Sequence, residues 1–197
     1  MLYTAVLARH SQTGACVVQG VEARVCLAEN VTFTLTYLVK GDMTRLRIPP
    51  PRSPCSAGGL WQHTCFEVFI AEKGQPSYWE FNFSPSGEWT AYAFKSYRVG
   101  GAIENRSLQP EIVVRSAANI IELGAIVRLD RLAAIKLQSP LRMGLSAVIE
   151  ENDGRLSYWA LKHPPGKPDF HHPDAFALSI DPSDMDGGGD SDYTGKR

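Results

Sequence analysis

The stretch YWEFNFSPSGEWTAYAF, residues 78–94, decides the fold class, because it has the pattern of two β-strands joined by a tight turn. Aromatic residues alternate with smaller or polar ones on both sides of the turn, which is typical of strands. Between the two runs, Pro85 favours a type I turn and Gly87 tolerates a positive φ. We therefore expect strands over residues 78–83 and 89–94 to pair as a hairpin.

Side-chain alternation divides this hairpin into two faces. One face carries large apolar side chains and should belong to the core. The other face mixes aromatic rings, a carboxylate and an amide. This mixture is typical of a solvated face, although a shallow surface that recognises a polar ligand also fits it. The first set is Trp79, Phe81, Phe83, Trp89, Ala91 and Ala93, and the second is Tyr78, Glu80, Asn82, Thr90 and Tyr92.

Similar runs recur along the chain, among them VTFTLTYLV (residues 31–39), CFEVFIA (65–71) and LSYWALK (156–162). Turn-forming residues separate them, which is the pattern of an antiparallel sandwich or barrel. We expect an all-β fold, an antiparallel two-sheet β-sandwich with at most a short helix. The helical candidate is LDRLAAIKLQ, residues 129–138, which is too short for more than about two turns.

The composition is that of one globular domain: 197 residues, of which 44% are hydrophobic and 21% charged. We expect a single domain over residues 1–181 and a disordered tail over 182–197, where apolar residues are scarce. The formal net charge of −1 and the lack of a basic run argue against a nucleic-acid partner. No apolar stretch approaches the roughly 20 residues that span a membrane, and no secretion signal is visible, so we expect a cytoplasmic protein.

The four cysteines, Cys16, Cys26, Cys55 and Cys65, are too far apart in sequence for a Cys-x-x-Cys metal site. In a cytoplasmic protein we expect them to be reduced and mostly buried, with Cys55 in its Pro- and Gly-rich stretch as the one exposed thiol.

The loop HPPGKPDFHHPD, residues 163–174, holds three of the five histidines among four prolines. His171 and His172 are adjacent and should point to opposite sides, so we expect no metal site. The loop can instead close one end of the sandwich, with Phe170 and Pro164 filling the core, or surround a bound ligand. The polar side chains that such a ligand would meet are His163, Lys167, Asp169 and His171.

Glu67 lies in the middle of an apolar strand, with Phe66, Val68 and Ile70 on the opposite face. Burying an unpaired carboxylate costs several kcal/mol. We therefore expect Glu67 to be exposed, hydrogen-bonded or opposite a cation. Trp61, His63 and Glu67 are close enough in an extended chain to border one site.

The stretches LWQHTCFEVFIA, YWEFNFSPSGEWTAYAF, GLSAVIE and SYWALKHPPGKPDFHHPDAFAL together resemble the DOMON-like proteins of bacteria, over about residues 60–178. That branch belongs to the superfamily of family 9 carbohydrate-binding modules and haem-binding DOMON domains. The resemblance implies a β-sandwich that binds a sugar or another small ligand, with Trp61 and Glu67 at matching positions.

The departures from that pattern bear on cofactors. His63, Thr64 and Cys65 stand where sugar-binding relatives carry acidic residues, which argues against the calcium site of those relatives. Met143 is the methionine to consider for haem, but it does not align clearly with the haem ligand. We therefore expect no cofactor, with haem or calcium as the alternatives that the resemblance leaves open.

These observations favour a non-catalytic binding module for a carbohydrate or amino sugar, a muropeptide-type sugar being one option that the resemblance suggests. One alternative is an enzyme with His63 or His171 as general base beside Glu67. Another is a haem or metal carrier. In the binding hypothesis, Trp61, Trp159 and Tyr92 stack on the ligand and the polar contacts come from Glu67, Asn82, His163, Lys167 and Asp169.

Overall fold

The computed structural model describes residues 2–14, 16–28, 32–53, 55–132 and 140–181. Its regular structure is almost entirely β-strand, and every pairing between strands is antiparallel. The strands are β1 (Leu2–Arg9), β2 (Val18–Ala28), β3 (Thr32–Gly41), β4 (Cys65–Glu72), β5 (Tyr78–Phe83), β6 (Trp89–Ser96), β7 (Val99–Ala102), β8 (Glu111–Ala117), β9 (Ile120–Arg128), β10 (Leu141–Glu150), β11 (Leu156–Ala160) and β12 (Leu178–Ile180).

The all-β prediction is confirmed, and β1 adds a detail to the two-sheet description. The strand order is β7-β6-β5-β4-β10-β11-β1-β2-β3-β9-β8, with β12 paired to β10. Residues Leu2–Leu7 of β1 pair with β2, whereas Ala8 and Arg9 pair with β11. The two layers are therefore joined through one strand.

The main core lies between the layers and takes apolar side chains from both of them. Tyr37 on β3 is fully buried, its ring centroid lies 5.1 Å from that of Phe66 on β4, and its hydroxyl donates to the backbone oxygen of Glu67 at 2.6 Å. The other core side chains come mainly from β2, β3 and β9 on one side and β4, β5 and β10 on the other. Alternation thus gives one apolar face per strand, as expected of a sandwich.

The predicted hairpin is confirmed in its strands and register. Tyr78 pairs with Phe94 and Phe83 pairs with Trp89. The apolar face packs into the main core, where Phe81 and Phe83 are fully buried. The prediction that the second face is solvated is wrong, because four of its five side chains are buried: Tyr78, Glu80, Asn82 and Thr90.

The part of the second face around Tyr78 and Glu80 lies against the closing segment, which we define as residues 161–177 between β11 and β12. Phe170 and Phe176 of this segment are buried in a second apolar cluster. The ring of Phe176 stacks on Phe69 at 5.7 Å between centroids. Gly144 leaves room for it, since an added Cβ would come within 3.0 Å of the Phe176 ring. Phe170 and Pro164 of the proline-rich loop are both buried, as predicted, but Phe170 lies in the second apolar cluster and not in the main core.

Several smaller predictions have a clear outcome. Leu129–Arg131 forms a 3-10 turn, while residues 133–138 of the predicted helix and the tail at 182–197 lie outside the described residues. All four cysteines are free: Cys65 is buried, Cys16 and Cys26 are half-buried and Cys55 is exposed. Within the described ranges, no helix has the length and apolar character needed to cross a membrane.

Replacing Phe176 with alanine should loosen the closing segment, because it removes the ring that packs on Phe69 and leaves a cavity above Gly144. We expect the free energy of unfolding to fall by about 3 kcal/mol in chemical denaturation. The matched control is Val113→Ala on the exposed face of β8, which should change stability by less than about 0.5 kcal/mol. If the two substitutions lower the free energy of unfolding equally, the packing of Phe176 does not stabilise the closing segment.

Candidate functional site

A cavity of about 410 Å³ lies between the second face of the β4–β6 region and the closing segment. Its volume falls in the range of small-molecule sites. Strands, a turn and the closing segment each contribute to its wall. The lining side chains are Trp61, Glu67, Glu80, Tyr92, Phe94, Arg98, Val148, Tyr158, Pro168, Phe170 and His171, together with Gly100 and Gly101.

One lining side chain, Glu67, belongs to a row of polar side chains on adjacent strands. Glu67 on β4 pairs with Ser146 on β10 and with Asn82 on β5, so that the three side chains share one face. We call Ser146, Glu67 and Asn82 the polar row. All three are buried, with Glu67 only 3% exposed. Within the described chain, Ser146 Oγ, Glu67 Oε1 and Asn82 Oδ1 have no hydrogen-bond partner.

Glu80 lies beside the polar row and is better satisfied than Glu67. Asn82 Nδ2 donates to Glu80 Oε1 at 2.7 Å. On its other side, Glu80 Oε2 lies 3.7 Å from His171 Nε2, which is a close approach but longer than a hydrogen bond. Two buried carboxyl groups therefore share one cavity.

Burial controls the protonation of both carboxyl groups. It raises the pKa of Glu67 well above its usual value, and the charge of Glu80 raises it further while Arg98 opposes the change. Burial also raises the pKa of Glu80, to about 7, against the hydrogen bond from Asn82 and the charge of Arg98. Burial thus favours the protonated form of Glu67, and Glu80 titrates near neutrality.

His171 is held in its neutral form. Burial, followed by the charge of Arg98, lowers its pKa to about 4, with Asp169 opposing. Its Nδ1 lies 2.8 Å from the hydroxyl of Tyr78, and that hydroxyl accepts the backbone N–H of Arg98 at 3.0 Å. Tyr78 can therefore donate its proton to Nδ1, which places the ring N–H at Nε2, on the side of Glu80.

Arg98 brings the one guanidinium into the cavity lining. It occupies the two-residue turn between β6 and β7 with a φ of +56°, in the left-handed region that such tight turns require. Its Nη2 donates to Asp169 Oδ1 at 2.8 Å, and Tyr97 donates to Asp169 Oδ2 at 2.6 Å. These contacts tie the turn to the closing segment. The charge of Arg98 is consequently balanced by Asp169.

Aromatic side chains form much of the remaining wall. Trp61 follows Gly59 and Leu60 in a short 3-10 turn, is 44% exposed and has its ring 6.1 Å from that of Tyr92. Gly100 on β7 allows close pairing with β6, because an added Cβ would clash with the carbonyl oxygen of Ala93. The site thus has a polar floor and a largely aromatic wall with an exposed indole at its edge.

Six of the ten predicted site residues are brought together here. Trp61, Glu67, Tyr92 and His171 line the cavity. Asn82 and Asp169 lie directly behind it, where they bind Glu80 and Arg98 respectively. Of the three alternatives predicted for Glu67, exposure is wrong and Oε1 has no hydrogen-bond partner among the described residues, while Arg98 supplies a cation whose charge acts on Glu67 in the same cavity.

The other four predicted residues lie elsewhere, and their assignment to one shared site needs correction. Trp159 is 5% exposed and packs in the main core, where its Nε1 donates to Ser157. His63 contacts Glu150 Oε2 at 2.7 Å, and His163 Nε2 lies 2.9 Å from the backbone oxygen of Ala8. Lys167 is exposed on the closing segment and is not part of the lining.

Sequence reasoning missed Glu80, Phe94, Arg98 and Phe170 as lining residues. Glu80 carried a usable signal, because alternation placed it on the same face as Asn82 and Tyr92. Arg98 carried none, since a charged residue in a turn is ordinarily solvated.

Two observations on the described part of the chain bear on the metal and haem alternatives. No group of three or more His, Cys, Asp or Glu side chains there is arranged to hold a metal ion. Met143, which the sequence raised as a haem ligand, is fully buried in the main core.

Comparisons with known proteins identify the fold. No protein-family model and no curated protein matches the sequence. Among solved structures, a candidate carbohydrate-binding protein of Bacteroides uniformis ATCC 8492 is similar with a TM-score of 0.65 and 13% identity, over 88% of this chain and 83% of that one. A family 9 carbohydrate-binding module from Caldicellulosiruptor kristjanssonii, in complex with cellotriose, is similar with a TM-score of 0.53 and 10% identity, over 84% and 75%. At these identities the similarity shows a shared fold.

Replacing Glu80 with glutamine should make folding less sensitive to pH. Because the pKa of Glu80 is raised to about 7 in the folded state, the folded protein retains a proton that the unfolded chain has lost, and stability falls as the pH rises through that window. Glutamine cannot ionise. The stability of Glu80→Gln relative to the wild type should therefore increase by about 2 kcal/mol between about pH 5 and pH 7.

Chemical denaturation at several pH values measures this difference in stability. His171 contributes a pH dependence of the opposite sign, which is common to both proteins and cancels in the difference. The control is Glu111→Gln on the exposed part of β8, whose difference from the wild type should stay nearly constant. A constant difference for Glu80→Gln as well would show that Glu80 is solvated.

Proposed function

We propose that this protein is a non-catalytic binding module for a carbohydrate, which it holds in the cavity between the β4–β6 region and the closing segment. The observation that carries the proposal is the combination of buried polar groups on the floor with aromatic rings on the wall. Aromatic faces suit the C–H faces of a pyranose, and carboxyl and amide groups suit its hydroxyls.

The geometry supports a polar ligand of small size. Glu67 lines the cavity and its Oε1 has no partner among the described residues, so its carboxyl group is the one that a hydroxyl or amino group of a ligand would satisfy. Trp61 offers a half-exposed indole at the edge, beside Tyr92. A sugar would thus be held by hydrogen bonds at the floor and by stacking near the entrance.

The solved structures of the same fold support the proposal independently. One of them is described as a candidate carbohydrate-binding protein, and the other is a carbohydrate-binding module in complex with cellotriose. The sequence resemblance to the bacterial DOMON-like proteins belongs to the same proposal, which places this chain among the sugar-binding members of that superfamily.

A catalytic role is the second candidate, and one contact favours it. Glu80 and His171 lie 3.7 Å apart, and the pKa of Glu80 is raised to about 7, which suits a general acid or base. His171 Nδ1 is already engaged by Tyr78, however, and the distance to Glu80 exceeds a hydrogen bond. An enzyme would convert a bound sugar to a new product, whereas the binding module returns it unchanged, and chromatography after prolonged incubation separates the two.

Calorimetric titration with a panel of neutral sugars and amino sugars tests the binding proposal. We expect at least one of them to bind, and Trp61→Ala to weaken it about fivefold or more, equivalent to ~1 kcal/mol of lost stacking. The matched control is Trp159→Phe, because Trp159 lies in the main core and its replacement should leave the affinity unchanged. Failure of every sugar to bind, or equal affinity of the wild type and Trp61→Ala, would contradict the proposal.

A further inference from the structure

We propose that the ligand places a protonated amino group on the floor of the cavity, between Glu67 and Glu80. The inference rests on the proposed function in one respect, namely that the cavity binds a small ligand. It adds the chemical class of that ligand: an amine, such as an amino sugar with a free amino group, in preference to a neutral sugar.

The first argument is a surplus of acceptors. Glu67 lines the cavity, is 3% exposed, and its Oε1 has no donor among the described residues. Glu80 adds a second carboxyl group, of which one oxygen accepts from Asn82. An ammonium group supplies three donors and no acceptor, which is the complement of this floor.

The second argument is charge. Arg98 is the cation of the lining, but its guanidinium is bound to Asp169 at 2.8 Å, so that pair is close to neutral. His171 is neutral because burial lowers its pKa to about 4. Two acidic groups are then left without a matching positive charge, and a cationic ligand would stabilise their ionised forms.

The third argument is the wall. The side chains of Trp61, Tyr92, Phe94, Tyr158 and Phe170 line the cavity above the acidic floor. Aromatic faces attract cations through the ring quadrupole, an interaction that strengthens when the cation is desolvated. Rings and buried carboxyl groups in one cavity therefore favour an ammonium ion over an uncharged group.

Binding of an amine should release protons, because Glu67 and Glu80 give up the protons that burial makes them retain in the free protein. Affinity should then rise with pH between about pH 5 and 7, by up to about tenfold per pH unit for each proton released, for an amine that stays protonated. Other titratable groups facing this pair come from each surrounding element and are Cys65, Tyr78, Tyr92, Arg98, Tyr158, Asp169 and His171.

The experiment compares ligands that differ only in this group. Calorimetric titrations at about pH 6.5 use glucosamine, whose amino group is mostly protonated there, against N-acetylglucosamine and glucose. Cyclohexylamine and cyclohexanol form a second pair without the sugar, and cyclohexylamine also serves for the pH series. Each titration is repeated in buffers of different ionisation enthalpy to count the protons released.

We expect each amine to bind at least tenfold more tightly than its neutral counterparts, with proton release. Glu67→Gln and Glu80→Gln should each remove that preference, while the exposed control Glu111→Gln retains it. Glutamine preserves the shape of each side chain, and thermal unfolding checks that both variants fold.

The outcomes separate this inference from the proposed function. Equal or tighter binding of glucose or N-acetylglucosamine would overturn the amine inference and leave carbohydrate binding intact. If cyclohexylamine binds more tightly than cyclohexanol and no sugar binds, the amine inference is supported and the proposal of carbohydrate binding is contradicted. If none of the five probes binds, the amine inference is overturned, and failure of the whole sugar panel would overturn carbohydrate binding as well.

Discussion

The buried carboxyl group of Glu67 is the constraint on which the site depends. β4 is an interior strand, with β10 on one side and β5 on the other, and its opposite face is packed into the main core. The side chain of Glu67 therefore points to the face that the closing segment covers. A carboxyl group in that position costs several kcal/mol of unfolding free energy when it is charged and unpaired, so burial raises its pKa and favours the protonated form. If position 67 served only the stability of the fold, an apolar side chain there would avoid this cost.

The closing segment turns that buried face into a cavity instead of a second solid core. Phe176 packs on Phe69 at one end, and Asp169 holds Arg98 and Tyr97 at the other. Between these two anchors the segment spans the polar row without donating to Glu67 Oε1. The same contacts that attach the segment thus leave a space bounded by carboxyl groups and aromatic rings.

The sequence predicts the positions of the strands well, but it predicts poorly which strand faces are buried by other segments. Alternation over residues 78–94 placed Phe81 and Phe83 in the core correctly, because the period of a strand is independent of its partners. It could not say that a segment more than 70 residues later covers Glu80 and Asn82, since burial of the second face depends on tertiary packing.

Residue type alone also gave a wrong prediction of one stacking side chain. Trp61 and Trp159 carry the same indole, but Trp61 lies in a short turn at the edge of the cavity, whereas Trp159 alternates into the main core from β11. Arg98 is positioned at the site by its left-handed turn and by its contact with Asp169 on the closing segment, and neither feature has a local sequence signal. Pairwise contacts between distant segments were therefore the missing information.

The central claim, that two carboxyl groups are buried in an open ligand cavity, is tested most directly by NMR titration of their side-chain carboxyl carbons. The account predicts that Glu80 titrates near pH 7 and Glu67 well above the usual range of a glutamate, and that a bound amine shifts both to the ionised form at constant pH. Ordinary titration of both groups near about pH 4.3, unaffected by any ligand, would contradict it.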